Sequence, residues 1–207
     1  MGVYGERVLP RLVDLTLRGD AIEELRRGAT GELRGEVLEV GFGSGRNVPH
    51  YPADVARVRA VDPSAVGRRL AAGRVEASPV PIEYVGLDGE HLPLDDASVD
   101  HVLSTWTLCT IPDVGAALAE VRRVLRPGGA LHFVEHGRSP DAAVARWQER
   151  LDPLQRRLVG GCHLTRPIDE LIRASGLEMT QLRNLYLRGP KVFGYLYIGA
   201  AVRAPSG

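Results

Sequence analysis

The chain is poor in cysteine. Cys109 and Cys162 are its only two in 207 residues, too few for a disulfide framework or a cysteine-rich metal centre. Lysine is scarcer still, with Lys191 alone against an excess of arginine. Neither sign of charge dominates, because Lys+Arg and Asp+Glu each number 26. That balance argues against nucleic-acid binding through a broad positive field. No apolar run approaches the roughly 18 residues of a membrane-spanning helix. The opening Met1 to Arg7 lacks the apolar core of a signal peptide, and Glu6 stands where a myristoylation signal wants Ser or Thr. A cytoplasmic protein of one domain, without a transmembrane segment, is the expectation. The 44% hydrophobic and 25% charged content is ordinary for a globular chain.

Glycine is plentiful, and its placement matters. Val37, Leu38 and Val40 form a short apolar run that reads as a buried strand. Gly41, Gly43 and Gly45 then alternate. A strand that ends this way must turn tightly and let something approach bare backbone. Alone, such a turn is also compatible with a plain strand-to-helix connection.

Downstream, strand and helix alternate. Val55 to Val61 is a strand ending at Asp62-Pro63. Ser64 to Arg74 is a helix with Val66 and Leu70 inward. Ile82 to Leu87 is a strand before the polar turn Asp88 to Leu94. Ser98 to Ser104 is a strand leading into Thr105 to Thr110. Asp113 caps a helix carrying Val114, Leu118, Val121 and Leu125 on one face. Arg126 to Gly129 reads as a sharp turn, and Ala130 to Glu135 as the fifth strand. This alternation predicts a parallel sheet with helices on both faces. Ligands bind outside the carboxyl ends of such strands, where Gly41, Asp62, Asp88, Thr105 and His136 all fall.

The two ends differ. Val8 to Arg18 and Ala21 to Arg27 read as helices, the second capped by Asp20 with Glu23 at the capping-box position. Arg7, Arg11, Arg18, Arg26 and Arg27 suggest a solvated face, with a lid or an anionic-membrane contact as the sharper alternative. Near the other end, Ala142 to Leu151 is amphipathic with Trp147 and Leu151 inward, interrupted by Pro153. After a loop over Gly160 to Arg166, Pro167 to Ser175 is a short helix. Leu177 to Leu187 and Val192 to Val202 are expected to pair as an antiparallel hairpin.

Five segments in order resemble the class I S-adenosylmethionine (SAM) dependent methyltransferases. They are Glu39 to Gly45, Val61 to Pro63, Asp88 to Leu94, Val99-Asp100 with its strand, and Val124 to Gly129. A second set is similar to the methyltransferase-like 7 group, whose members methylate small alkyl thiols. It comprises Trp106 to Cys109, Glu135-His136, Trp147-Gln148, Leu151 to Pro153 and Gly161 to Arg166. That group carries an N-terminal hydrophobic anchor; residues 1–30 hold no such run, so membrane attachment does not follow from the resemblance and peripheral contact is the one membrane alternative left open.

The resemblance implies a Rossmann-like, doubly wound, seven-stranded and mostly parallel sheet ending in an antiparallel hairpin. It divides the single domain into an N-terminal helical lid (1–30), a SAM-binding core (31–137), substrate-side helices and loop (138–176) and the hairpin (177–207). It implies SAM as methyl donor, S-adenosylhomocysteine as product, no metal and a small-molecule acceptor. The cofactor set it implies is Glu39, Gly41, Phe42, Gly43, Gly45, Asp62, Pro63, Asp88, Gly89, Glu90 and Thr105. Within it the glycines and Glu39 face the methionine end, Asp62 the ribose diol, and Asp88 with Gly89 the adenine edge. Thr105 offers its backbone carbonyl near the methionine amine. Candidates for a base or an electropositive field are His136, His163 and Arg166. Trp106, Cys109, Trp147 and Cys162 are candidates for the acceptor pocket.

Other acceptors share this donor chemistry: phospholipid amines, quinone or phenol rings and natural-product hydroxyls. A nicotinamide-dependent oxidoreductase would want a third glycine at position 46, where Arg46 stands. A non-catalytic SAM-binding protein is the remaining alternative.

Overall fold

The computed structural model describes residues 8–205, so Arg7 and the opening residues lie outside it. The element order is α1 (Leu9–Thr16), α2 (Asp20–Thr30), β1 (Gly35–Val40), β2 (Val55–Val61), α3 (Ala65–Glu76), β3 (Ile82–Gly86) and β4 (Val99–Thr105). It continues with α4 (Val114–Val124), β5 (Leu125–His136), α5 (Ala142–Leu158), α6 (Ile168–Ala174), β6 (Glu178–Tyr186), α7 (Lys191–Gly194) and β7 (Tyr195–Val202). The seven strands form one sheet in the order β3-β2-β1-β4-β5-β7-β6. β1 to β5 pair in parallel, and β7 runs antiparallel to both β5 and β6.

Burial explains the sheet's place. Val37 and Leu38 are neighbours in β1, and both are fully buried, because successive strand residues point to opposite faces. Leu38 joins a core with Leu118 and Val121 of α4 and Ile168 and Ile172 of α6. Val37 joins a second core with Leu25 and Ala29 of α2 and Ala71 of α3. The sheet is therefore covered on both faces, as near-continuous apolar strands require. The strand order reverses direction between β1 and β4, which opens a crevice at their carboxyl ends.

Four local expectations are corrected. Asp20 does not cap α2; Gly19 precedes the helix, and no side chain caps it. The helix also runs past Arg27 to Thr30. Arg126 to Gly129 is not a turn outside the sheet but a bulged start of β5, with the register shifting between Val99 and His101. Gly129 has no room for a side chain, because a Cβ there would lie 2.7 Å from the Asp100 carbonyl. Pro153 does not interrupt α5 but sits inside it. Between β6 and β7, Lys191–Gly194 forms a helical turn, so Val192 belongs to the connection rather than to the strand.

A fifth correction concerns the orientation of α5 and has the largest effect on the site. Trp147 does not face inward: it is 54% exposed and stacks under the Arg150 guanidinium. The inward row is Val144, Gln148 and Asp152. Gln148 accepts the Ser139 N–H at 2.8 Å and donates to the Gly137 and Val192 carbonyls. Asp152 accepts the Leu164 N–H at 2.7 Å. Loop backbone groups that cannot reach water need such partners, and that need turns the two polar side chains in and Trp147 out.

Candidate active site

A cavity of about 1000 Å³ lies at the carboxyl ends of β1 to β5. Gly41, Asp62, Asp88, Thr105 and His136 all line it, as the alternation of elements predicts. Gly41, Gly43 and Gly45 have φ of 77°, 55° and 71°, a region that favours glycine. A Cβ on Gly41 would lie 1.9 Å from Thr107 Oγ1, and one on Gly67 would lie 2.9 Å from the Gly43 carbonyl. Gly67 is thus part of the same close packing, although nothing in the glycine spacing points to it. Phe42 is buried and meets the Tyr84 ring edge-on with centroids 5.4 Å apart.

Asp62, at the tip of β2, is buried. Its Oδ2 accepts the Gly43 N–H at 2.6 Å and its Oδ1 accepts the Ser64 N–H at 2.7 Å. Burial raises its pKa, against those two backbone bonds. Ser64, not Asp62, caps α3 by accepting the Gly67 N–H. Pro63, Gly89 and Glu90 also line the cavity. Asp88 is half exposed; it accepts the Glu90 N–H at 2.8 Å and pairs with His91 at 3.0 Å. The His91 hydrogen bond is the main reason its pKa is lowered. Glu90 in turn accepts the Asp113 N–H at 2.9 Å.

Glu39 does not line the cavity but lies behind it, 1% exposed. It accepts hydrogen bonds from the Tyr51 hydroxyl and from Asn47 Nδ2. Burial pushes its pKa up to about 7, against those bonds and the charge of Arg26. Asn47 also donates to Thr105 Oγ1 at 3.0 Å. Arg26 donates to Asn47 Oδ1 at 2.9 Å and lies over the Trp106 ring at 4.9 Å. Asn47 and Arg26 both reach the cavity wall.

Arg26 therefore belongs to no solvated face. One signal for it exists in the sequence: Ile22, Leu25, Arg26 and Ala29 share one helical stripe, and a lone charge on such a stripe must be paired when buried. The Thr105 carbonyl accepts the Thr107 hydroxyl at 3.1 Å. From α1, Leu9, Asp14 and Thr16 reach the cavity, with Leu17 just beyond the helix. Asp14 accepts from Ser44 Oγ at 2.6 Å and from Arg46 at 2.8 Å. Burial works to raise its pKa, yet Arg46, Ser44 and Arg18 hold it well below the usual carboxylate range. The first helix is thereby tied to the glycine turn.

The far wall holds Trp106, Thr107, Cys109, His136 and Cys162. Trp106 has φ 53°, an outlying conformation for a bulky side chain. Glu135, fully buried, accepts from Ser104 Oγ at 2.7 Å and from the Thr107 N–H at 3.0 Å, and so shapes this turn. His136 is 5% exposed, its Nδ1 3.7 Å from Cys162 Sγ. Its Nε2 has no hydrogen-bond partner among the described residues.

His163 and Arg166 do not line the cavity. Arg166 donates to the Leu108 and Pro112 carbonyls, so its charge holds the loop after β4. His163 lies 3.8 Å from Asp152, and burial lowers its pKa. Trp147 is also absent from the wall, for the reason given with α5. Among the described residues, no group of three or more His, Cys, Asp or Glu is placed to hold a metal ion. No described helix is long and apolar enough to cross a membrane.

Known proteins share these features. Residues 38–133 match a family described as "Methyltransferase domain". Human thiol S-methyltransferase TMT1A is 34% identical over 178 residues, covering 81% of this chain and 72% of that protein. Human thiol S-methyltransferase TMT1B is 38% identical over 143 residues, covering 67% of this chain and 57% of that protein. The chain thus spans little more than half of the second relative. A methyltransferase structure from Bacillus halodurans C-125 superposes with a TM-score of 0.72 at 19% identity, over 88% of this chain and 98% of that one. The fold, the glycine turn with Asp62 at the next strand tip, and the relatives together place the chain in the class I SAM-dependent methyltransferase family, where it resembles the methyltransferase-like 7 group.

Proposed function

We propose that this protein transfers a methyl group from SAM to the sulfur of a small thiol. Support comes from the wall opposite the glycine turn: His136, whose Nε2 is buried without a hydrogen-bond partner among the described residues, lines an apolar chamber together with Cys109 and Cys162. The thiol S-methyltransferase relatives point the same way.

The residues present fit the cofactor. Gly43 has nothing but its own loop within 4 Å of a built Cβ, so bare backbone faces the cavity. Asp62 would hold the ribose diol through the remaining lone pairs of its carboxylate, and Asp88 with Gly89 would meet the adenine. Arg26 and Asn47, braced from behind by Glu39, would take the carboxylate and amine end. Bound SAM supplies a methyl already activated by its sulfonium.

The protein has two further tasks: in-line geometry and a deprotonated acceptor. A thiol near the free cysteine pKa of about 8.5 needs only modest help, which His136 would give by holding its proton at Nε2. Glu135, Arg166 and His163 would act through the loops that carry the wall, with α1 and α2 as the cover.

Calorimetry tests the donor half. SAM should bind the folded protein, and Asp62→Ala should weaken it about 10- to 100-fold, the loss of one or two charge-assisted hydrogen bonds. Absence of SAM binding to folded protein would overturn the proposal.

A further inference from the structure

Cys109 and Cys162 come from loops 53 positions apart, yet their sulfurs lie 3.6 Å from each other. Both are free, buried thiols, and both line the cavity. A disulfide needs about 2.05 Å, so closure asks the sulfurs to approach by about 1.5 Å. The backbone is built for proximity: the His163 N–H donates to the Cys109 carbonyl at 2.8 Å, clamping the two loops together. Gly160 and Gly161, with φ of 57° and 89°, precede Cys162. Methyl transfer needs neither of two thiols in contact, and a methylating enzyme for external thiols gains nothing from burying two of its own at the acceptor.

The two sulfurs are also unlike. Cys162 is pushed toward the thiolate, first by its hydrogen bond with Cys109 and then by His136, against its burial. Cys109 is pushed the other way, by the Cys162 sulfur, by burial and by the charge of Glu135, with Arg166 opposing. An attacking thiolate beside a protonated partner is the arrangement of a redox-active dithiol.

We propose that Cys162 and Cys109 open a small organic disulfide inside the cavity and close to a disulfide with each other. The Cys162 thiolate attacks one sulfur of RS–SR, forming Cys162–S–SR and expelling RS⁻. That RS⁻ takes the proton of the Cys109 thiol and leaves as RSH. The Cys109 thiolate then attacks the Cys162 sulfur, giving the Cys109–Cys162 bond and a second RS⁻, protonated by the proton that Cys162 gave up on ionising. The substrate disulfide is reduced to two thiols and the protein dithiol is oxidised. On the thiol-methylation reading, the released thiols arise where the acceptor is methylated, and an external dithiol reopens the closed pair for another round.

The test uses reduced, folded protein and 2,2′-dithiodipyridine, a small neutral disulfide. Two thiopyridone molecules should be released per chain, and intact-mass spectrometry should show a loss of 2 Da with no adduct, reversed by dithiothreitol. Peptide mapping should join Cys109 to Cys162. Cys109→Ser should release one thiopyridone and keep one adduct on Cys162. Persistent adducts on the wild-type chain, or reaction only after unfolding, would overturn the dithiol. Because the readout is mass and not methyl transfer, a failure here is separable from a failure of the methylation reading.

Discussion

Glu39 is the residue whose chemistry was hardest to place from its neighbours in the chain. Preceding the glycines, it reads as a partner of the methionine end, directly or through water; it is enclosed by Tyr51 and Asn47, and Asn47 stands between it and the cavity. Its folded pKa of about 7 lies above the ordinary value of 4.5. A group raised on folding contributes stability that is fully present below its unfolded pKa and lost as pH rises through the folded one. Glu39→Gln removes that titration, keeps an amide oxygen to accept from Asn47, and can donate from its NH2 to the Tyr51 oxygen in place of accepting from it. The variant should therefore gain stability relative to wild type between about pH 4.5 and 7, by up to about 3 kcal/mol. Denaturant titrations across that window check it, and a constant difference would contradict it. Arg26 and Asn47 were less legible still, because each looks like an ordinary helix or turn residue until the fold folds it against Trp106 and Thr105.

At the scale of elements, the parallel core was legible because short strands rich in β-branched residues recur between segments with a helical apolar stripe. α5 was not. An aromatic side chain at position 147 outweighs a glutamine beside it in any hydrophobic pattern, but the buried N–H and carbonyl groups of the flanking loops outweigh the aromatic in the folded chain. The two readings predict opposite mutational effects. Gln148→Ala leaves three loop backbone groups unpaired and should cost about 2–4 kcal/mol, whereas Trp147→Ser should change stability by no more than about 0.5 kcal/mol. Thermal or urea unfolding of the pair distinguishes them; a larger loss for Trp147→Ser would restore the sequence-based orientation. The bulge at Arg126 to Gly129 escaped notice for a related reason: Pro-Gly-Gly has the composition of a turn, but Gly129 packs on the Asp100 carbonyl and the Gly128 N–H and Gly129 carbonyl bond the Arg203 backbone, which keeps the segment in the sheet.

For the whole molecule, the donor half of the site is written in short range: a glycine turn, an acid at the next strand tip and another after the third. The acceptor half is assembled over long range, from the turn after β4, the end of β5 and the loop before α6, so no local spacing shows that Cys109, His136 and Cys162 share a wall. The same holds for His163 and Arg166, which sit close to Cys162 in the chain yet outside the cavity. The central claim is that this wall receives a thiol. Its most direct test offers the protein SAM with a deuterated methyl group and an equimolar mixture of small thiols, amines, phenols and quinols, and reads products by mass spectrometry. The account predicts deuteromethyl thioethers as the dominant products, formed only with SAM present. Deuteromethyl on nitrogen, oxygen or ring carbon, with every thiol unmodified, would contradict it.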